Sequence, residues 1–222
     1  LGTDDYFNVA PNGVTSGNYL HAATLTTAAD HLTVENLNIK FTDMAAQSAV
    51  LSKFTNALTL QNVTVLNQSQ LGDHGGFDLV GGTGTTVSNV TCLANIALNS
   101  SRLATITNCT VAGVTLEEAC TDNMISHNTL TGATTCDIRV NDMACERNTF
   151  EYNTLHGGVG FSGAIAIAEG IDTTVAFNTI SNGSTEIWTG FTKGTVVDGN
   201  IGGGFADSSV LNLSQVFNNS WQ

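Results

Sequence analysis

Ile106-Thr-Asn-Cys-Thr-Val111, Ile125-Ser-His-Asn-Thr-Leu130, Phe150-Glu-Tyr-Asn-Thr-Leu155 and Val175-Ala-Phe-Asn-Thr-Ile180 are four versions of one hexapeptide. The pattern is apolar, any, any, Asn or apolar, Thr or Asn, apolar. Upstream it returns as Val34-Glu-Asn-Leu-Asn-Ile39, Leu60-Gln-Asn-Val-Thr-Val65 and Val87-Ser-Asn-Val-Thr-Cys92. Downstream it returns as a weaker Val197-Asp-Gly-Asn-Ile201 and as Val216-Phe-Asn-Asn-Ser-Trp221. First positions lie 26, 27, 19, 19, 25, 25, 22 and 19 residues apart. Units of that length, with period-2 apolar stretches and no 3.6-residue pattern, describe stacked β coils.

Between hexapeptides runs a second apolar stretch: 48–51, 77–80, 96–98, 114–116, 138–140, 164–167 and 186–188. Each is followed by a polar or Gly-rich turn, so one repeat holds about three short strands. A single coil cannot bury its inner face; stacking coils about 4.8 Å apart makes the core continuous. The single Pro fits, because Pro inside a coil deletes a ladder hydrogen bond. Asn128, Asn153, Asn178 and Asn200 share one register at a bend. They are expected to adopt the left-handed backbone that Asn tolerates and to hydrogen-bond along the axis as a ladder.

Composition narrows the partners. The 222 residues carry 6 Lys+Arg against 19 Asp+Glu, a net charge of −13. Nucleic-acid binding rests on cations that neutralise phosphates, so DNA and RNA are excluded as partners. No apolar run approaches the roughly 20 residues of a membrane-spanning helix. Starting at Leu1, the chain is expected to be a mature or trimmed product. An acidic, Lys-poor surface suits a secreted or extracellular protein, at a cell or virion surface.

The repeat resembles the right-handed, single-stranded parallel β-helix of the pectin lyase-like superfamily, including pectate lyases and NosD-like Asn-ladder proteins. The resemblance covers roughly residues 19–221 and implies an all-β solenoid of about eight to nine coils at 19–222. Residues 1–18 lack the repeat and are expected to form an N-terminal cap or extended segment. Tyr19 to Leu25, Asp30 to Ile39 and Gln47 to Leu51 also resemble the opening of pectin methylesterases. That family presents a Gln, an acid–base Asp and a nucleophilic Asp on consecutive coils, then an Arg. Carried over, these fall on Gln47, Asp78, Asn95 and Arg139. Asn95 cannot act as a carboxylate nucleophile.

Alternation places Gln47, Asp78, Asn95, Thr115, Glu117, Asp137, Arg139, Ala166, Glu186 and Trp188 outward on the second stretch. Phe77, Leu79, Ile96, Leu98, Ile138, Val140, Ile165, Ile167 and Ile187 then face inward. A stripe of acids, one Arg and one Trp has the composition of a sugar-binding groove, and equally that of a solvated face. Gln47, Asp78, Asn95, Glu117, Arg139, Glu186 and Trp188 are its substrate-binding candidates; Asp78, Asp137 and Arg139 are its catalytic ones. No cofactor is required. Asp4-Asp5 and Asp137 with Asn141-Asp142 offer oxygen ligands of the kind Ca²⁺ takes. Three Lys and three Arg are few for the cationic bases of the fold's lyases. Cys120 and Cys145 share a turn one coil apart, and a disulfide between them is expected. Cys92 and Cys109 read as core residues.

Two functions follow. One is an extracellular carbohydrate-interacting β-helix: a polysaccharide lyase, hydrolase or esterase-like enzyme, or a binding module derived from one. The other is a structural subunit of a filament, adhesin or viral fibre. The last coil reads as an ordinary coil, so a homo-oligomer or end-to-end assembly is expected.

Overall fold

A computed structural model describes residues 7–9, 20–22, 31–40, 50–66, 76–131, 138–156, 164–181, 186–202, 204–207 and 213–221. Val34, Leu60, Val87, Ile106, Ile125, Phe150, Val175, Val197 and Val216, the first residues of the hexapeptides, pair in succession in parallel strands. Each repeat is thus one rung of a parallel β-solenoid, because the period-2 stretches bury alternate residues only when coils stack in register. No helix occurs among the described residues, hence none long and apolar enough to cross a membrane.

Three faces make up a turn. Strands such as Thr86–Ser88, Thr105–Thr107 and Thr149–Glu151 form the first. The second has two-residue strands, Thr110–Val111, Thr129–Leu130, Thr154–Leu155 and Thr179–Ile180. Phe77–Val80, Ile96–Asn99 and Val114–Glu117 belong to the third. Inside, Leu60, Val87, Ile106, Ile125, Phe150 and Val175 are stacked and wholly buried. Phe77, Leu79, Ile96, Leu98, Val140, Ile165, Ile167 and Ile187 are buried on the third face. Near the start of the chain, Phe7–Val9 pairs antiparallel with Leu20–Ala22, which pairs on its other side with Val50–Lys53.

The corner between the first two faces departs from the sequence reading. Its left-handed residues are Asn36, Asn62, Asn89, Asn108, His127, Tyr152, Phe177, Gly199 and Asn218, with φ between 46° and 62°. Asn128, Asn153, Asn178 and Asn200 come one position later, pointing inward and buried. They do not make the bend; they satisfy the backbone beside it. Asn153 Oδ1 accepts from the Asn128 N–H and Nδ2, both at 3.0 Å, and its own Nδ2 donates to Ile125 O at 2.9 Å. The same pattern links Asn153 to Asn178, Asn178 to Asn200, and Asn200 to Asn219, which the sequence reading left out. A second, two-membered ladder joins Asn123 to Asn148 at the opposite end of the first face.

The expected Cys120–Cys145 disulfide is absent. The pairing of Thr121 with Glu146 makes the two cysteines neighbours, yet both are buried thiols. The two thiols hydrogen-bond each other, and carbonyls lie close as well: Leu98 O is 3.2 Å from Cys120 Sγ and Glu118 O is 2.8 Å from Cys145 Sγ.

Candidate ligand-binding face

On the third face, Asp78, Ala97, Thr115, Arg139, Ala166 and Trp188 occupy one outward register on successive rungs. This column is not an open groove. Ala97, Thr115 and Ala166 are at most 2 % exposed, although they point away from the core. Asp78 and Trp188 remain half-buried, five rungs apart, or about 24 Å at the strand spacing of a sheet. Asp78 is tied to Asn99, whose Nδ2 donates to Asp78 Oδ1 at 3.2 Å. Asn95 is not in the column: it is 2 % exposed, and its carbonyl accepts from the Phe77 N–H at 3.0 Å. Alternation misplaced it because the strand starts one residue later, at Ile96. Glu117 is half-buried on its strand. Gln47, Asp137, Asp4 and Asp5 lie outside the described residues, as do the side chains of Arg139, Asn141, Asp142 and Glu186. Among the described residues no three His, Cys, Asp or Glu side chains come together as metal ligands would.

The structure draws attention to a different surface. At the left-handed corner, four rungs in succession use Asn (36, 62, 89, 108), and then three use His127, Tyr152 and Phe177. A left-handed residue projects outward while its successor turns in, so these rings are exposed: Tyr152 by 49 % and Phe177 by 46 %. They stack along the axis, with ring centroids 5.2 Å apart from His127 to Tyr152 and 5.2 Å from Tyr152 to Phe177. On the next rung Gly199 gives the Phe177 ring its place. A Cβ there would lie 2.5 Å from Phe177 Cδ1, and φ is 62°.

Beside the rings, on the second face, run two polar ranks. Thr129, Thr154 and Thr179 pair in register and point outward. Thr131, His156 and Ser181 follow one inward residue later and are exposed; Ser181 Oγ lies 3.1 Å from His156 Nδ1. Three rungs thus present nine outward groups: His127, Thr129, Thr131; Tyr152, Thr154, His156; Phe177, Thr179, Ser181. An apolar strip flanked by hydroxyl and imidazole groups can cover the C–H surface of a ligand while exchanging hydrogen bonds with its rim. Sequence reasoning missed this face because it looked for chemistry on the longer third strand. The signal was present: the third hexapeptide position changes from Asn to His, Tyr and Phe as the fourth becomes Asn.

Charges lie mostly across the first face, at its other corner. Arg147 holds Asp122 bidentately, at 2.7 and 3.0 Å, and also bonds Glu146. Arg102 approaches Asp122 at 3.6 Å. The Arg147 hydrogen bonds keep the Asp122 carboxyl below its ordinary range.

No protein-family model matches this chain, and no curated protein matches it. Among solved structures it is similar to the Streptococcus pneumoniae surface protein and adhesin PfbA, with a TM-score of 0.57 and 12 % identity. That match covers 86 % of this chain and 64 % of the adhesin chain. It also matches the A-module of the Azotobacter vinelandii mannuronan C-5 epimerase AlgE6, at a TM-score of 0.27 and 11 % identity, covering 87 % of this chain and 75 % of that one. The adhesin match, at this identity, establishes a shared β-helix fold.

Proposed function

We propose that the chain is an extracellular, carbohydrate-interacting β-helix that binds a glycan through the face formed by His127, Tyr152, Phe177 and their flanking ranks. On this reading it is a binding module, not a catalyst. One observation carries the reading. A left-handed backbone costs an ordinary L residue roughly 1–2 kcal/mol, and Asn or Gly far less. The same corner uses Asn or Gly on its six other rungs, yet spends three consecutive rungs on exposed rings. Other corners also hold ordinary residues left-handed, Phe54 and Leu103 among them, so what sets this one apart is three rings stacked in register on consecutive rungs. Fold-sharing with a surface adhesin is in keeping with this reading and with a place at a cell surface.

The test is a polysaccharide-binding screen of the intact chain beside the Tyr152→Asn/Phe177→Asn double variant, which adopts the solution of the other rungs. Binding that the double variant loses supports the proposal. Binding to nothing, or binding the variant retains, removes it.

A further inference from the structure

The charges around the ring face narrow its ligand. None of its nine outward groups is a Lys, Arg, Asp or Glu. The column bordering the rings on the first face is Ser126, Glu151 and Ala176, so the nearest charge placed by the register is a carboxylate. Arg102 and Arg147 are occupied by Asp122 and Glu146 at the far corner, Lys193 stands beside that corner opposite Ile171, and the Arg139 side chain lies outside the described residues. The chain as a whole carries −13. Among the described residues, a uronate polymer brought to this face would meet Glu151 and the overall negative field with no Lys or Arg side chain to receive it.

The polar groups agree with the charges. Thr and Ser hydroxyls each donate and accept, as sugar hydroxyls do, whereas a carboxylate accepts only and is best met by Arg or by clustered N–H donors. His156 is joined through Nδ1 to Ser181, which leaves Nε2 for a ligand. The ranks repeat at every rung, about 4.8 Å apart, so an extended chain lying along the axis meets equivalent groups at each step.

We infer that the ligand is an uncharged polysaccharide lying along the solenoid axis, and that polyuronates are refused. This inference rests on the glycan-binding reading above. The experiment is affinity electrophoresis of the intact chain through gels containing neutral glucans, mannans or galactans, or polygalacturonate or alginate. Ionic strength is varied from about 0.01 to about 1 M, which shortens the Debye length roughly tenfold. The expected result is retardation by a neutral polymer, unchanged by salt, weakened at least tenfold in Tyr152→Asn/Phe177→Asn, and no retardation by polyuronates. Retardation by a polyuronate that salt abolishes and the double variant loses would overturn the ligand class while leaving the binding face in place. No retardation by any polymer would instead overturn the glycan-binding reading itself.

Discussion

Tyr152 and Phe177 hold left-handed φ values of 53° and 54°, where Asn36, Asn62, Asn89 and Asn108 adopt the same backbone with less strain. Replacing both rings with Asn should therefore leave the fold intact and raise its stability by up to about 1–2 kcal/mol, while binding is lost. Denaturant unfolding checks the first half, and a fall in stability of that size would show that the ring stack is structural. The buried cysteines give a second test at this scale. Burial pushes the Cys92 thiol up to about 12 and the Cys109 thiol up to about 11. An unfolded thiol titrates near 8.5, so above that pH the unfolded chain loses protons that the folded chain keeps, and stability falls. The contribution is complete below that pH and decays as pH rises toward the folded values. Melting temperatures should show this loss between about pH 8.5 and 11, with a shallower slope in Cys92→Ala/Cys109→Ala. Equal slopes would mean that neither thiol is protected.

Within an element, the inner Asn ladder and the outer bend divide the work between adjacent positions. Asn153 satisfies the buried Asn128 N–H and the Ile125 carbonyl at once. Asn153→Ala leaves both without that partner and should cost about 2–4 kcal/mol. Asn62, exposed at the bend, can become Gly within about 1 kcal/mol, since Gly accepts the same φ. Comparable losses at both positions, measured by urea unfolding, would contradict this division. The rungs were legible because apolar residues at fixed hexapeptide positions can face only one core. Which of two neighbouring residues bends was not, because Asn suits both a left-handed φ and a buried hydrogen-bonding position. The shared turn of Cys120 and Cys145 followed from repeat spacing. Their chemical state did not, because spacing brings two thiols together without deciding whether they join.

For the whole molecule, the stacking of coils was legible, as were the third-face residues that enter the core, apart from Ile138, whose side chain lies outside the described residues. The outer side of that face is harder to read. Alternation tells inward from outward, but Ala97, Thr115 and Ala166 are outward and still covered. The candidate stripe, read as a groove or as a solvated face, spans five rungs from Asp78 to Trp188. The ring face is assembled by the reverse route, since residues 25 apart in sequence become neighbours only through the rung register. Amide chemical-shift mapping of the isotope-labelled chain, titrated with a neutral oligosaccharide retarded in the gels, tests this assignment most directly. The account predicts that shifts concentrate at 127–131, 152–156 and 177–181, moving together with one saturation curve. Shifts concentrated at 77–80 and 96–99, with the three ring rungs unmoved, would contradict it.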